Sequence, residues 1–335
     1  MRARSRPTIT DVARAAGVSA TTVSYVLSGP PTKAHRIGEA TRLRVLEAVE
    51  QIGYVPNQSA RALRLRRSNR VLFLGGRFTS LYSQSIAQSI EPILAQHGYA
   101  LEVRIGGGHE PLQRAIASLD QHIADGLIAE TDDDTVADLR EAAQRGHAIV
   151  AIGPSAPEPS LDVIQNDGTA AINEAIQVLL DRGHRRFLLL SARADEPWEP
   201  RIVIARDALE RAGMAPESIV IRFCPHDRMH AHDFALAELP NAQKPLAVFA
   251  GSDLSAIGVL WAATRLGLRV PDDVAIVGYG NTPETSITVP PITSIGPDGS
   301  DFSVAAELML HRLAHPQRPG RHRAEPHHLS IRSST

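Results

Sequence analysis

Residues 8–28, TITDVARAAGVSATTVSYVLS, read as a helix, a tight turn and a second helix. Thr8 is a helix N-cap; Asp11, three positions on, completes a capping box and complements the positive end of the helix dipole. Ile9, Val12, Ala13 and Ala16 recur at helical spacing on one face. Gly17 supplies the turn, Val18 a buried plug and Ser19 the cap of the next helix, whose Val23, Val26 and Leu27 pack back on the first. The opposite face, Ala20, Thr21, Thr22, Ser24 and Tyr25, is slim, polar and free of acids. Such a face fits the major groove of DNA, although the same hairpin occurs in domains that bind no nucleic acid.

Charge is distributed unevenly around this stretch. Residues 1–70 hold thirteen Lys and Arg against four Asp and Glu, a net of +9. The remaining 22 basic and 33 acidic residues leave −11 on the rest of the chain. A basic head on an acidic body is the electrostatic footprint of nucleic-acid binding, because phosphate contacts supply most non-specific affinity. The Arg run at 61–70, taken alone, reads as a solvated linker. Aromatic residues make up only 4% of the chain, which argues against single-strand binding on stacking platforms.

A third amphipathic helix spans 39–53, EATRLRVLEAVEQIG, with Thr41, Val45, Ala48, Val49 and Ile52 on one face and Gly53 as its stop. The loop before it, SGPPTKAHRIG, offers Lys33, His35 and Arg36 to phosphates or base edges. After it comes YVPNQSARALRLRRS, where Pro56 breaks the chain, Asn57 can cap, and one or two turns of helix follow. A helix that short is marginal in water, so order is expected only when DNA and a second copy supply partners. Leu63 sits there between Arg61 and Arg64. It is either a wedge for the minor groove or a linker leucine packed on its own domain.

From Val71 onward strands alternate with helices. Strand candidates are 71–75, 100–105, 126–130, 148–153, 163–166, 186–191, 219–223, 246–251 and 274–280. Helical stretches fall at 84–97, 111–123, 135–145, 169–182, 200–212 and 254–266. Nearly uninterrupted apolar strands, each followed by a helix, predict parallel sheets covered on both faces. A body of this length exceeds one such core, which points to two doubly wound subdomains with a cleft at the carboxyl ends of their strands. No run of about eighteen apolar residues exists, so no membrane span is expected. The basic N-terminus lacks a secretory apolar stretch, and the single cysteine, Cys224, excludes an internal disulfide. Both fit a cytoplasmic location, with the protein held on nucleoid DNA.

These residues resemble the lactose-repressor (LacI) family of bacterial transcription regulators. TITDVARAAGVSATTVSYVLSG is similar to the family's helix-turn-helix, and ATRLRVLEAVEQIGYVPNQSARAL to its third helix and hinge helix. DGLIAE, QNDGTAAINEAIQVLLDRGHRRFLLLS, FAGSDLSAIG, LGLRVPDDVAIVGYG, PPITSI and LSIRSST follow in the family's order. The resemblance implies a head at 1–56 and a hinge helix with linker at 57–70. It implies an N-subdomain of the body at 71–166 and 295–324, and a C-subdomain at 167–294 and 325–335. It further implies a homodimer on pseudo-palindromic double-stranded operator DNA, most simply as a repressor, with a small-molecule effector between the subdomains and neither cofactor, metal nor membrane. The chain ends just after its last strand-like segment, which favours a dimer over a tetramer.

Carried over by resemblance, Ala20, Thr21 and Tyr25 take the base-reading positions, and Leu63 that of the wedge. Asn57 and Ala60 lie on the hinge helix. Thr8, Ser19, Thr22, Ser24, His35, Arg36 and Arg64 complete the DNA-facing set. In the body, Arg201 of PWEPRIVIARDAL matches the effector-binding arginine, whose fork grips a hydroxyl pair or a carboxylate. Asp167, Ser252 and Asp253 match further cleft positions. Trp198 is either a stacking platform or a packing tryptophan. Tyr82, Ser83 and Ile86 are expected to face the same cleft. One departure stands out: Gly280 of Gly278-Tyr279-Gly280-Asn281 occupies the place of an acid that accepts sugar hydroxyls. The alternatives are a non-sugar effector, a repositioned one or none.

Other signals carry less. Cys224, His226, His230 and His232 of CPHDRMHAH do not match a finger spacing and are expected in a surface loop. Gly106–Gly108 lacks the Lys-Ser/Thr of a phosphate loop. His322, His327 and His328 read as solvated loop residues. No nucleophile–base or paired-carboxylate arrangement supports an enzyme.

Overall fold

The computed structural model describes residues 7–28, 37–54, 67–76, 81–131, 134–153, 159–194, 198–297 and 302–335. The chain divides into two compact units between Ser68 and Asn69. In the first, α1 (Ile9–Ala16), α2 (Ala20–Ser28) and α3 (Glu39–Ile52) enclose a small core of Val12, Ala13, Ala16, Val23, Val45 and Ala48. Gly17 takes the left-handed conformation at φ 64°, which a side chain would strain, and this lets the chain turn within three residues.

The second unit begins with β1 (Arg70–Gly75), α4 (Leu81–Gln96), β2 (Ala100–Ile105), α5 (His109–Asp120) and β3 (Gly126–Glu130). It continues through α6 (Val136–Gln144), β4 (Ala148–Ile152) and β5 (Asp162–Asp167). The chain then runs through α7 (Thr169–Asp181), β6 (Phe187–Ser191), α8 (Pro200–Arg211), β7 (Ile219–Phe223), α9 (Arg228–Glu238) and β8 (Leu246–Ala250). Next are α10 (Asp253–Arg265), β9 (Val274–Tyr279), α11 (Pro283–Ile287) and β10 (Thr293–Gly296). It closes with α12 (Ser303–Ala314), β11 (His322–Pro326) and β12 (His328–Ser330).

Two six-stranded sheets result, ordered β11-β5-β4-β3-β1-β2 and β12-β10-β9-β8-β6-β7. All pairings are parallel except β10 with β12. The strand order reverses between β1 and β3 in one sheet and between β6 and β8 in the other, the points where ligands bind in open α/β sheets. The period of two explains the layers. Val71 and Phe73 face α4 and α12, whereas Leu72 and Leu74 face α5 and α6. Likewise Phe187 and Leu189 pack under α7 and α8, and Leu188 and Leu190 under α9 and α10.

The strands and helices read from the pattern are present, with ends shifted by a few residues. The structure adds α9, α11, α12, β10, β11 and β12. It also moves the subdomain boundaries: Asp167 ends a strand of the first sheet, β10 belongs to the second, and β11 stays in the first through Pro326. β11 (HRAEP) is mostly exposed and has no apolar alternation. Its strand conformation comes from pairing with β5 in register, His322 opposite Val163 through Pro326 opposite Asp167.

A buried ion pair ties this late segment to the first sheet. Asp162 is fully buried; it accepts from Arg312 Nε at 2.8 Å and from the Arg321 backbone N–H at 2.9 Å. The other Arg312 nitrogens donate to the carbonyls of Arg318 and Pro319. Arg312→Met leaves the buried carboxylate only the Arg321 backbone N–H and its half-exposed guanidinium at 3.4 Å, and should cost about 3–5 kcal/mol. Urea denaturation measures this, and an unchanged midpoint would refute the anchoring role.

Candidate nucleic-acid interface and body cleft

In the head, the capping box is formed. The Thr8 hydroxyl donates to Asp11 Oδ2 at 2.7 Å, and that oxygen also accepts the Thr8 N–H at 2.9 Å. The hydrogen bonds from the Thr8 side chain and backbone hold the Asp11 carboxyl below its ordinary value. Ser19 caps α2: its hydroxyl accepts the Thr22 N–H at 3.0 Å and lies 2.9 Å from the Thr22 hydroxyl. With Val23 fully buried on the inner side, Ala20, Thr21 and Tyr25 are exposed and Ser24 half-exposed on the outer one. The first turn of α2 carries no acid, so its N–H groups suit a phosphate. His35, Arg36, Asn57, Ala60, Leu63 and Arg64 lie outside the described residues.

In the body, the expected residues separate into those lining the cleft and those used elsewhere. Arg201, in the first turn of α8, stacks over the Tyr279 ring with its guanidinium carbon 4.5 Å from the centroid. One guanidinium nitrogen donates to the Gly251 carbonyl at 2.7 Å, and Nε lies 3.8 Å from Glu199. Glu199 also accepts the Ala192 N–H at 2.6 Å and sits 3.2 Å from His226 Nε2. Burial opposes its ionisation, yet the His226 hydrogen bond, the charges of His226 and Arg201 and the Ala192 N–H together hold the carboxyl down at about 2.

The crossovers between the sheets meet beside this group. Tyr279 shares a 2.9 Å hydrogen bond between its hydroxyl and His327 Nδ1, and the His327 N–H donates to the Asp167 carbonyl at 2.8 Å. A Cβ on Gly168 would collide with the Tyr279 hydroxyl. Across the cleft, Asn166 Nδ2 donates to the Tyr82 hydroxyl at 2.9 Å, and Tyr82 stands edge-on to Phe302. Burial raises the Tyr82 phenol, as does the charge of Glu130, while the Asn166 hydrogen bond and the Arg201 charge lower it. An ion pair between Asp134 and Arg193 joins the two rims.

Several expectations are corrected. Ile86 is fully buried in the core beneath α4. Ser252 caps α10, accepting the Ser255 N–H at 3.2 Å. Asp253 is buried with both oxygens occupied, Oδ1 by the Ser294 hydroxyl and Oδ2 by the Thr282 N–H and hydroxyl. Trp198 is half-buried against the core under α7 and α8, the packing alternative. Ser83 is 3% exposed at the cleft floor, and Asp167 is exposed with Oδ1 taking the Thr169 N–H. CPHDRMHAH is not a surface loop: Cys224 is buried, Asp227 caps α9, and His226 reaches Glu199. Among the described residues no group of side chains is placed to hold a metal ion. His327 is buried rather than solvated, and His328 lies in β12. Sequence reasoning missed Glu130, Asn166, Glu199, His226 and His327 as cleft residues. Glu130 and Asn166 carry a signal that could have found them, a polar residue at the carboxyl end of an apolar strand.

A helix-turn-helix head followed by two parallel sheets with a cleft at their carboxyl edges defines a ligand-responsive DNA-binding regulator. Residues 8–57 match bacterial regulatory proteins of the lacI family, and residues 176–335 a periplasmic binding protein-like domain. The transcriptional repressor PurR of Vibrio atlanticus is 30% identical over 316 residues, covering 91% of this chain and 92% of that protein. The ribose operon repressor of Escherichia coli K12 is 29% identical over 315 residues, covering 92% and 94%. Among solved structures, the Lac repressor dimer bound to operator and an anti-inducer superposes with TM-score 0.83 at 24% identity, covering 99% of each chain. The complex of the transcriptional regulator CelR with cellobiose gives 0.67 at 26% identity, covering 98% and 100%. The chain belongs to the lacI family of bacterial regulatory proteins. It is a DNA-binding transcriptional regulator, as its relatives are, and not an enzyme. No helix among the described residues is long and apolar enough to cross a membrane.

His327 yields a pH prediction. Burial and the nearby Arg201 charge push its imidazole from 6.5 down to about 4, so the folded state resists a proton that the unfolded chain accepts. Stability is therefore full above about pH 6.5 and falls as the pH drops through about 4. His327→Gln should flatten this slope in denaturation midpoints measured from pH 7 to pH 4; an identical slope would refute the assignment.

Proposed function

We propose that two copies of this chain place their heads on a two-fold symmetric operator, with α2 of each in a major groove. A small molecule in the body cleft sets operator affinity. The observation that carries the reading is the exposed Ala20, Thr21 and Tyr25 face, on a helix braced by the Ser19 cap, in a segment of net charge +9. Repression is the simplest outcome, in keeping with relatives named as repressors of a ribose operon and as PurR. The operator is cytoplasmic nucleoid DNA.

A second copy has a surface to meet. Trp261, Ile287 and Val289 are 46%, 78% and 87% exposed on the C-subdomain and are available to it. The fold-level likeness to a repressor crystallised as a dimer on operator supports pairing. In the absence of inducer the short helices around Leu63 pair and wedge the operator centre. Effector binding shifts the two subdomains about their crossovers and separates those helices, which needs a coupling of only ~1–3 kcal/mol.

Selection of bound sequences from a random DNA pool tests the reading. An inverted repeat should emerge; enrichment of none would overturn it. Thr21→Ala or Tyr25→Ala should change the preferred base at one position of each half-site by about 1–3 kcal/mol of discrimination, read by the same selection. Leu63→Ala should weaken binding to the selected operator far more than binding to bulk duplex, measured by gel shift at fixed salt. Equal losses on both would refute the wedge.

A further inference from the structure

We infer that a basic cluster on the body, formed by His311, His315, Arg318, Arg321, His322 and Arg323, is a second phosphate-binding surface that grips duplex DNA flanking the operator. The inference goes beyond the head's reading of the operator but rests on it, since the head brings the duplex.

The cluster stands out by charge. Residues 308–324 hold four arginines and three histidines and no acid, in a body whose residues from 71 onward carry −11. One arginine is spent on the fold, Arg312 being buried on Asp162. Arg321 is divided, with Nε 3.4 Å from Asp162 and Nη2 donating to the Leu308 carbonyl. Arg318 and Arg323 are exposed and form no ion pair among the described residues. Basic side chains gather on one another instead. Arg318 Nη1 lies 3.4 Å from His311 Nε2, and the His311 and His315 rings stand 4.9 Å apart between centroids. Partial burial and the charges of Arg321, His315 and Arg318 hold the His311 imidazole below its ordinary value. Like charges held this close repel, and an anion that spans them relieves the repulsion.

Topology decides which anion. The strands of a parallel sheet all start at one edge. β1 starts at Arg70, just past the division between Ser68 and Asn69, so the chain passes from the head into the body at this edge. α12 runs toward the same edge. Phe302, before its first turn, meets Tyr82, whereas Met309 crowds Gly126 at the start of β3 and Arg312 reaches Asp162 at the start of β5. β11 starts there too, with His322 opposite Val163. Acids at this edge are engaged: Asp120 with His147 and Arg145, Asp125 with the Asn69 N–H, Asp162 with Arg312. DNA held by the head is tethered to the edge that carries the cluster, which raises its effective concentration there. Arginine forks suit phosphate oxygens in particular.

Anisotropy titrations of the full-length chain test this on two duplexes. One is the inverted repeat recovered by selection, and the other adds about ten base pairs, one helical turn, at each end. The longer duplex should bind more tightly, and log K should fall more steeply with log salt by about 0.9 for each added phosphate contact. The double change Arg318→Gln, Arg323→Gln should remove most of that added slope and leave the short duplex bound as by the parent. Both side chains are exposed, so the fold does not depend on them. Arg265→Gln, exposed on α10, should keep the parent's added slope. Equal affinity and slope on the two duplexes in the parent would overturn the inference, leaving the cluster to an acidic protein partner and the head reading intact. An added slope that survives in the double variant would overturn the role of these arginines. A parent that holds neither duplex would overturn the head reading and this one together.

Discussion

The body depends on where the chain crosses between its two sheets. In a parallel sheet every strand ends at the same edge, so segments leaving that edge must meet. β5 leaves at Asp167, β11 leaves at Pro326, and the His327 N–H ties the two crossings through the Asp167 carbonyl. Tyr279 then fills the space between them, with Gly168 on one side and the His327 ring on the other. A change in the angle between the sheets therefore acts on this cluster, on which Arg201 is stacked through Tyr279.

The polar groups around the cleft divide by what they can still do. Glu199 and Asp253 are both buried carboxyls in the C-subdomain, yet their surroundings differ. Burial leaves Asp253 raised although the Ser294 hydroxyl and the Thr282 N–H and hydroxyl pull the other way, whereas Glu199 is held ionised by its contacts with His226, Arg201 and the Ala192 N–H. Asp253 fixes the Thr282 turn and the end of β10, and Glu199 positions Arg201 and His226. On the other wall burial raises Glu130 above its ordinary value, with Ser83 and the Gly76 N–H pulling the other way.

Much of the architecture was legible because it rests on local patterns. The Thr8–Asp11 box and the Ser19 cap need only the chain's own neighbours within four residues. Apolar runs such as 126–130 and 246–250 become central parallel strands because both their faces must be covered. β11 was hidden because HRAEP has no pattern of its own and becomes a strand only beside β5. α9 was passed over because Arg228, His230, His232 and Asp233 crowd its first turns and obscure its apolar face, although Ala231 and Ala235 are buried.

The cleft residues show the same division. Arg201 and Tyr82 stood out by their place in a familiar order of segments, but Asp253 and Ser252, equally conspicuous, proved to cap and brace the fold. The sequence by itself determined the charged helical head and the two layered sheets, since each follows from periodicity, capping and composition. Only the tertiary structure decided which side chains reach the cleft with groups to spare. A hydrogen bond between residues such as Asn166 and Tyr82, far apart in the chain, depends on how strands cross and pair, and no local pattern records it.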